Sequence, residues 1–96
     1  MKELTGSPKQ VKWANDIREE YIKNCKYLGE EPVDTESAKF WIEHGRVSNI
    51  RLKDVPIALE AWNYLNKNGI PTRQDVKKGE ITNEAYNLIA HKRIKI

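Results

Sequence analysis

Leu4-Thr5-Gly6-Ser7-Pro8-Lys9-Gln10-Val11-Lys12-Trp13-Ala14-Asn15-Asp16-Ile17-Arg18 places a turn, a cap and an amphipathic face in immediate succession. Gly6 allows positive φ, Ser7 can accept the free amide hydrogens of a first helical turn, and Pro8 suits the first helical position, where its missing donor costs nothing. A helix is therefore predicted from Pro8. Val11, Ala14, Ile17, Tyr21, Cys25 and Leu28 recur at steps of three and four and draw one apolar stripe. Lys9, Lys12, Asp16, Glu19 and Lys23 lie mostly off it, with Glu19 four residues before Lys23 in the favourable order for an ion pair. Gly29 is a natural terminator.

The run Leu4, Thr5, Gly6, Ser7, Lys9, Gln10, Trp13, Ala14, Ile17 and Arg18 resembles the opening of a loose group of small bacteriophage and mobile-element proteins, which begin L-T-G-S/T-x-K-Q-x-x-W-A-x-x-I-R. A second run, Ala38-Lys39-Phe40-Trp41-Ile42-Glu43-His44-Gly45-Arg46, is similar to the A-K-x-W-I-D-x-R pattern downstream in many of them. Glu43 stands where Asp is usual and Gly45 is an extra residue before Arg46, so no role passes to Arg46. The resemblance covers about the first half of the chain and implies a phage or mobile-element origin, with no chemistry attached.

Beyond Leu28 the chain continues in helical segments. Glu30 to Val33 is a polar connector broken by Pro32. Asp34 or Thr35 is expected to cap a second helix carrying Ala38, Trp41, Ile42 and Gly45 at helical spacing, with His44 in its last turn. Arg46 to Lys53, with only a ragged alternation of Val47, Ile50 and Leu52, reads as loop. Asp54 is expected to cap a third helix, bearing Val55, Ala58, Ala61, Trp62 and Leu65 and ended by Asn68-Gly69. Thr72 with Asp75 forms an approximate capping box for a short helix stopped by Gly79. Thr82 caps the last helix, with Ala85, Tyr86, Ile89 and Ala90 on one face and His91, Lys92 and Arg93 in its final turn. The sequence thus predicts an all-α, compact single-domain bundle over residues 1–96, with four helices, or five counting the short one. Trp13, Trp41 and Trp62 fall one on each of the first three helices, which suggests a shared aromatic core. Trp13 lies to one side of the main stripe, and reads as core edge or as an exposed anchor for a protein partner.

Ninety-six residues support one modest core, and 39% apolar with 32% charged residues is the balance of an ordered soluble domain. No apolar run has membrane-spanning length, and the N-terminus lacks the plan of a signal peptide, so the expectation is a cytoplasmic protein with no membrane partner. Cys25 is the single cysteine and falls on the apolar stripe, where a buried core residue is the expectation. With only His44 and His91 to join it, neither a metal site nor any other cofactor is expected.

No nucleophile, base and charge-stabilising group assemble at a credible spacing. Ser7, Ser37 and Ser48 have no glycine-flanked elbow, and no glycine-rich loop with a lysine cradles a phosphate. An enzyme is therefore not expected. The charge is uneven instead: residues 1–65 hold ten Lys/Arg against eleven Asp/Glu, whereas residues 66–96 hold seven against three. That asymmetry points to an anionic partner, DNA or RNA first. Ala61 to Lys78 has the order of a helix-turn-helix, in which Arg73, Gln74, Lys77 and Lys78 would face nucleic acid, while Lys92, Arg93 and Lys95 would add phosphate contacts. The competing class is an adaptor or inhibitor that docks on a host or phage protein, with Trp13 as anchor. For such a protein mimicry of nucleic acid is not the route, because the chain is mildly basic.

Overall fold

Five α-helices and one 3-10 turn make up the regular structure of the computed structural model, which describes residues 1–46 and 48–94. The helices are α1 (Pro8–Leu28), α2 (Ala38–His44), α3 (Val55–Asn68), α4 (Arg73–Lys77) and α5 (Asn83–Ala90), with the 3-10 turn over Leu52–Asp54. The protein is all-α; among the described residues the only extended pairing is an isolated parallel bridge between Thr5 and Ser37. The chain divides into two compact units, Met1–Val55 and Pro56–Ile96. Val47 of the expected loop and Lys95 of the expected phosphate contacts lie outside the described residues.

In the first unit α1 begins and ends as its sequence dictates. The Ser7 hydroxyl accepts from Gln10 N–H at 3.2 Å while the Gln10 side chain accepts from Ser7 N–H at 3.1 Å, a closed capping box. At the other end Gly29 takes φ 73°, and the left-handed turn lets the N–H groups of Gly29 and Glu30 bond back to Lys26 and Cys25 carbonyls. The buried stripe is not the purely apolar one expected. Ala14, Arg18, Tyr21 and Cys25 are buried, whereas Leu28 is 61% exposed. Glu19, expected opposite Lys23, instead accepts from the Asn15 amide at 3.3 Å.

The cap of α2 also differs from expectation. Ser37 caps it, accepting from Phe40 N–H at 3.1 Å. Asp34 and Thr35 have other work: the Asp34 carboxylate meets Arg18 and the Lys2 N–H, and the Thr35 carbonyl accepts from the Trp41 indole at 3.2 Å. Trp41 and Phe40 are fully buried, with Trp41 5.3 Å from the Tyr21 ring and 5.5 Å from the Phe40 ring. Such offset and edge-on contacts suit the ring quadrupoles. Trp13 is 47% exposed, so it does not join the shared aromatic core expected of the three tryptophans.

The second unit gathers on Ala61, Ile81 and Ala85, with Ile57, Tyr64, Val76, Tyr86, Leu88 and Ile89 packed around them. Val76 is the residue by which α4 packs against this core. Asp54, expected as the cap of α3, stands directly before that helix, ends the 3-10 turn and accepts from Arg51 Nε at 2.9 Å. α5 ends earlier than expected: His91 is its C-cap, so His91, Lys92 and Arg93 follow the helix rather than forming its last turn. Lys92 adopts φ 56°, the left-handed conformation that turns the chain away from the helix axis.

Candidate functional site

The first unit is organised around a buried charge. Arg18 lies on the inward stripe of α1, and its side chain is 8% exposed. Its guanidinium donates to the Lys2 carbonyl at 2.7 Å and to Asp34 Oδ1 at 3.2 Å, with a long contact of 3.5 Å to Asn15 Oδ1. Asp34 in turn accepts from Lys2 N–H at 2.6 Å and from Thr35 N–H at 2.9 Å. The N-terminal segment is thereby tied to the segment before α2. Thr5 N–H donates to Glu36 O at 2.7 Å and Ala38 N–H to Thr5 O at 3.2 Å. Gly6 sits where this pairing turns into α1: its φ is 149°, and a Cβ there would meet the Ala38 Cβ at 3.2 Å. Both requirements point to glycine. Thr5, Arg18, the segment over residues 34–36 and the start of α2 at Ala38 thus meet in one network. It has the character of a scaffold, because the guanidinium joins the Lys2 carbonyl to Asp34 and the Asp34 carboxylate is also held by the Lys2 and Thr35 amides.

Tyr21 belongs to the same core. Its hydroxyl accepts from Val33 N–H at 3.0 Å, and burial pushes its pKa up to about 12 despite that bond. The phenol stays neutral and serves packing.

On the outside of this unit Trp13 is paired. The Arg46 guanidinium carbon stands 5.0 Å from the Trp13 ring centroid, a cation–π stack. Trp13, Ile17 and Arg46 line a shallow cleft together with Asp16, Glu20 and Ser48. The sequence marks Trp13 as a candidate anchor and gives Arg46 no role. What joins them is the path of the chain after α2, for which no local signal exists.

The residues expected to meet nucleic acid all lie in the second unit. Arg73, Gln74 and Lys77 are on α4, Lys78 is its C-cap, and all four are exposed. Arg73 and Lys77 are four positions apart on α4 and share its outer side. Lys92 and Arg93 are exposed in the turn after α5. None of these five cations takes part in an ion pair among the described residues.

Two nearby acids are held by helix caps. The Asp75 carboxylate accepts from Thr72 N–H at 2.8 Å, and this bond holds its pKa below the usual carboxylate value. Tyr64 also donates to it, and burial together with Asp75 raises the Tyr64 pKa. Glu60 accepts from Thr82 N–H at 2.7 Å and from the Thr82 hydroxyl at 2.9 Å. α4 itself is five residues, about 7.5 Å long, one and a half turns.

Among the described residues no group of three or more His, Cys, Asp or Glu is placed to hold a metal ion, and no helix is long and apolar enough to cross a membrane. Cys25 is buried and free. Comparisons with protein families, curated proteins and solved structures found no match.

Proposed function

We propose that this chain is a non-catalytic, cytoplasmic accessory protein of phage or mobile-element type that contacts nucleic acid through the basic surface of its second unit. The observation that carries the reading is the state of five cations. Arg73, Lys77, Lys78, Lys92 and Arg93 are exposed and outside any ion pair among the described residues. Meanwhile the acids Glu60 and Asp75 are bound to the caps of α5 and α4. Unpaired, solvated cations on a small domain are what phosphate contacts draw on, because binding releases condensed counterions without first breaking internal bridges.

The reading is of sequence-independent contact. A helix of one and a half turns offers only Arg73, Gln74 and Lys77 on its outer side, which is little for a recognition helix lying along a groove. Changing Lys77 and Lys78 to Ala tests it: affinity for labelled DNA should fall to a similar degree for every sequence, and its salt dependence should lessen. Unchanged binding by that variant would end the proposal.

A second reading, docking on a host or phage protein, is favoured by the exposed Trp13 ring stacked under Arg46. Trp and Arg are the residue types that dominate binding energy at protein interfaces.

A further inference from the structure

We infer that the cleft at Trp13 receives a basic protein segment, one that lays an apolar side chain on Trp13 and Ile17 and sets a lysine or arginine beside Asp16 and Glu20. The inference rests on the protein-docking reading and is independent of nucleic-acid contact by the second unit. Three observations support it. Trp13 is 47% exposed although it directly precedes the buried Ala14, and the half-buried Ile17 continues its surface one turn along α1. Removing such area from water contributes about 25 cal/mol per Å2.

The Arg46 guanidinium, stacked on the ring, is in no ion pair among the described residues, so it acts as a wall that fixes the Trp13 rotamer. A preordered aromatic loses little entropy on binding.

Charge selects the occupant. Asp16 and Glu20 are both exposed at the cleft, one turn apart on α1, and Asp16 is in no ion pair among the described residues. Arg46 offsets one of the two carboxylates and leaves the cleft with an excess negative charge. A phosphate backbone would be repelled there, whereas a cationic side chain is attracted. The cleft and the basic surface of the second unit thus suit partners of opposite charge.

A random dodecapeptide library displayed on filamentous phage, panned against the full-length protein, supplies the probe. Enriched peptides should combine an aliphatic or aromatic residue with Lys or Arg. As synthetic peptides they should lose at least tenfold in affinity for Trp13→Ala and for the double variant Asp16→Lys, Glu20→Lys. The Lys77→Ala, Lys78→Ala protein should bind them unchanged. All the substituted side chains are exposed, and circular dichroism verifies that each variant keeps its helices. Enrichment of acidic peptides that still need Trp13 would overturn the basic partner while leaving docking in place. No enrichment, or peptides that bind Trp13→Ala as tightly as the unchanged protein, would overturn both.

Discussion

Replacing Arg18 by Leu tests the buried charge network on which the first unit is built. The leucine keeps the apolar contacts of the arginine stem and removes the guanidinium. Two short charged contacts disappear, 2.7 Å to the Lys2 carbonyl and 3.2 Å to Asp34; the 3.5 Å approach to Asn15 is too long to count for much. Breaking one side of a buried ion pair costs about 3–5 kcal/mol, because the remaining charge is left without its partner. Asp34 is 21% exposed and keeps the Lys2 and Thr35 amide donors, which places the cost at the lower end, about 3 kcal/mol.

Asp34→Leu should cost a similar amount, since it leaves the guanidinium buried with only the Lys2 carbonyl and an Nε that has no partner among the described residues. The double variant removes both charges together, so its cost should fall short of the sum of the singles by about 2 kcal/mol. Urea unfolding followed by circular dichroism gives the stabilities. Amide exchange at Thr5 and Ala38, whose N–H groups hold the N-terminal segment, shows where the loss occurs. Additive single costs, or an Arg18→Leu variant within about 1 kcal/mol of the unchanged protein, would refute the reasoning.

Two further outcomes follow from local geometry. Gly45 has an ordinary φ of −103°, yet a Cβ there would stand 2.5 Å from Trp41 Cε3 and 2.8 Å from the Trp41 carbonyl oxygen. Because that ring is fully buried, Gly45→Ala should cost about 1–3 kcal/mol through overpacking and lower the thermal midpoint; an unchanged or raised midpoint would contradict the contact. Tyr21 ionises at about 12 when folded and near 10 when unfolded, so the unfolded chain loses its phenolic proton first. Stability should therefore fall as pH rises from about 10 to 12, by up to about 1.4 kcal/mol per pH unit. Tyr21→Phe should flatten that part of the profile, and an equally steep profile in the variant would assign the effect to other groups.

Features set by neighbouring residues were legible in the sequence. Ser7 and Pro8 mark the start of α1, Gly29 marks its end, and Thr72 with Asp75 and Thr82 mark the two short helices. Features set by distant partners were not. Asp34 and Thr35 have the side chains of helix caps, but contacts with Arg18, Lys2 and Trp41 hold them, and Ser37 caps α2 instead. Arg18 stands at the spacing of Ala14, Tyr21 and Cys25 and so faces inward, yet a charged residue reads as exposed when its counter-ion lies sixteen positions away. His91 closes α5 one turn earlier than the basic run suggests, because a favourable interaction with the helix end does not require helical conformation. At the candidate sites, exposure of Arg73, Gln74, Lys77, Lys78, Lys92 and Arg93 followed from their polarity. Pairing of Arg46 with Trp13 depended on a loop path that composition does not encode.

The most direct test of nucleic-acid contact is the salt dependence of binding, measured by fluorescence anisotropy with labelled duplex and single-stranded DNA at 50 and 200 mM salt. If Arg73, Lys77, Lys78, Lys92 and Arg93 all meet phosphates, log K should fall with log salt at a slope of about −4.5 on duplex, a loss of roughly 500-fold over that interval. Removing Lys77 and Lys78 should bring the slope to about −2.7. No binding at 50 mM salt, or binding that salt leaves unchanged, would contradict the account.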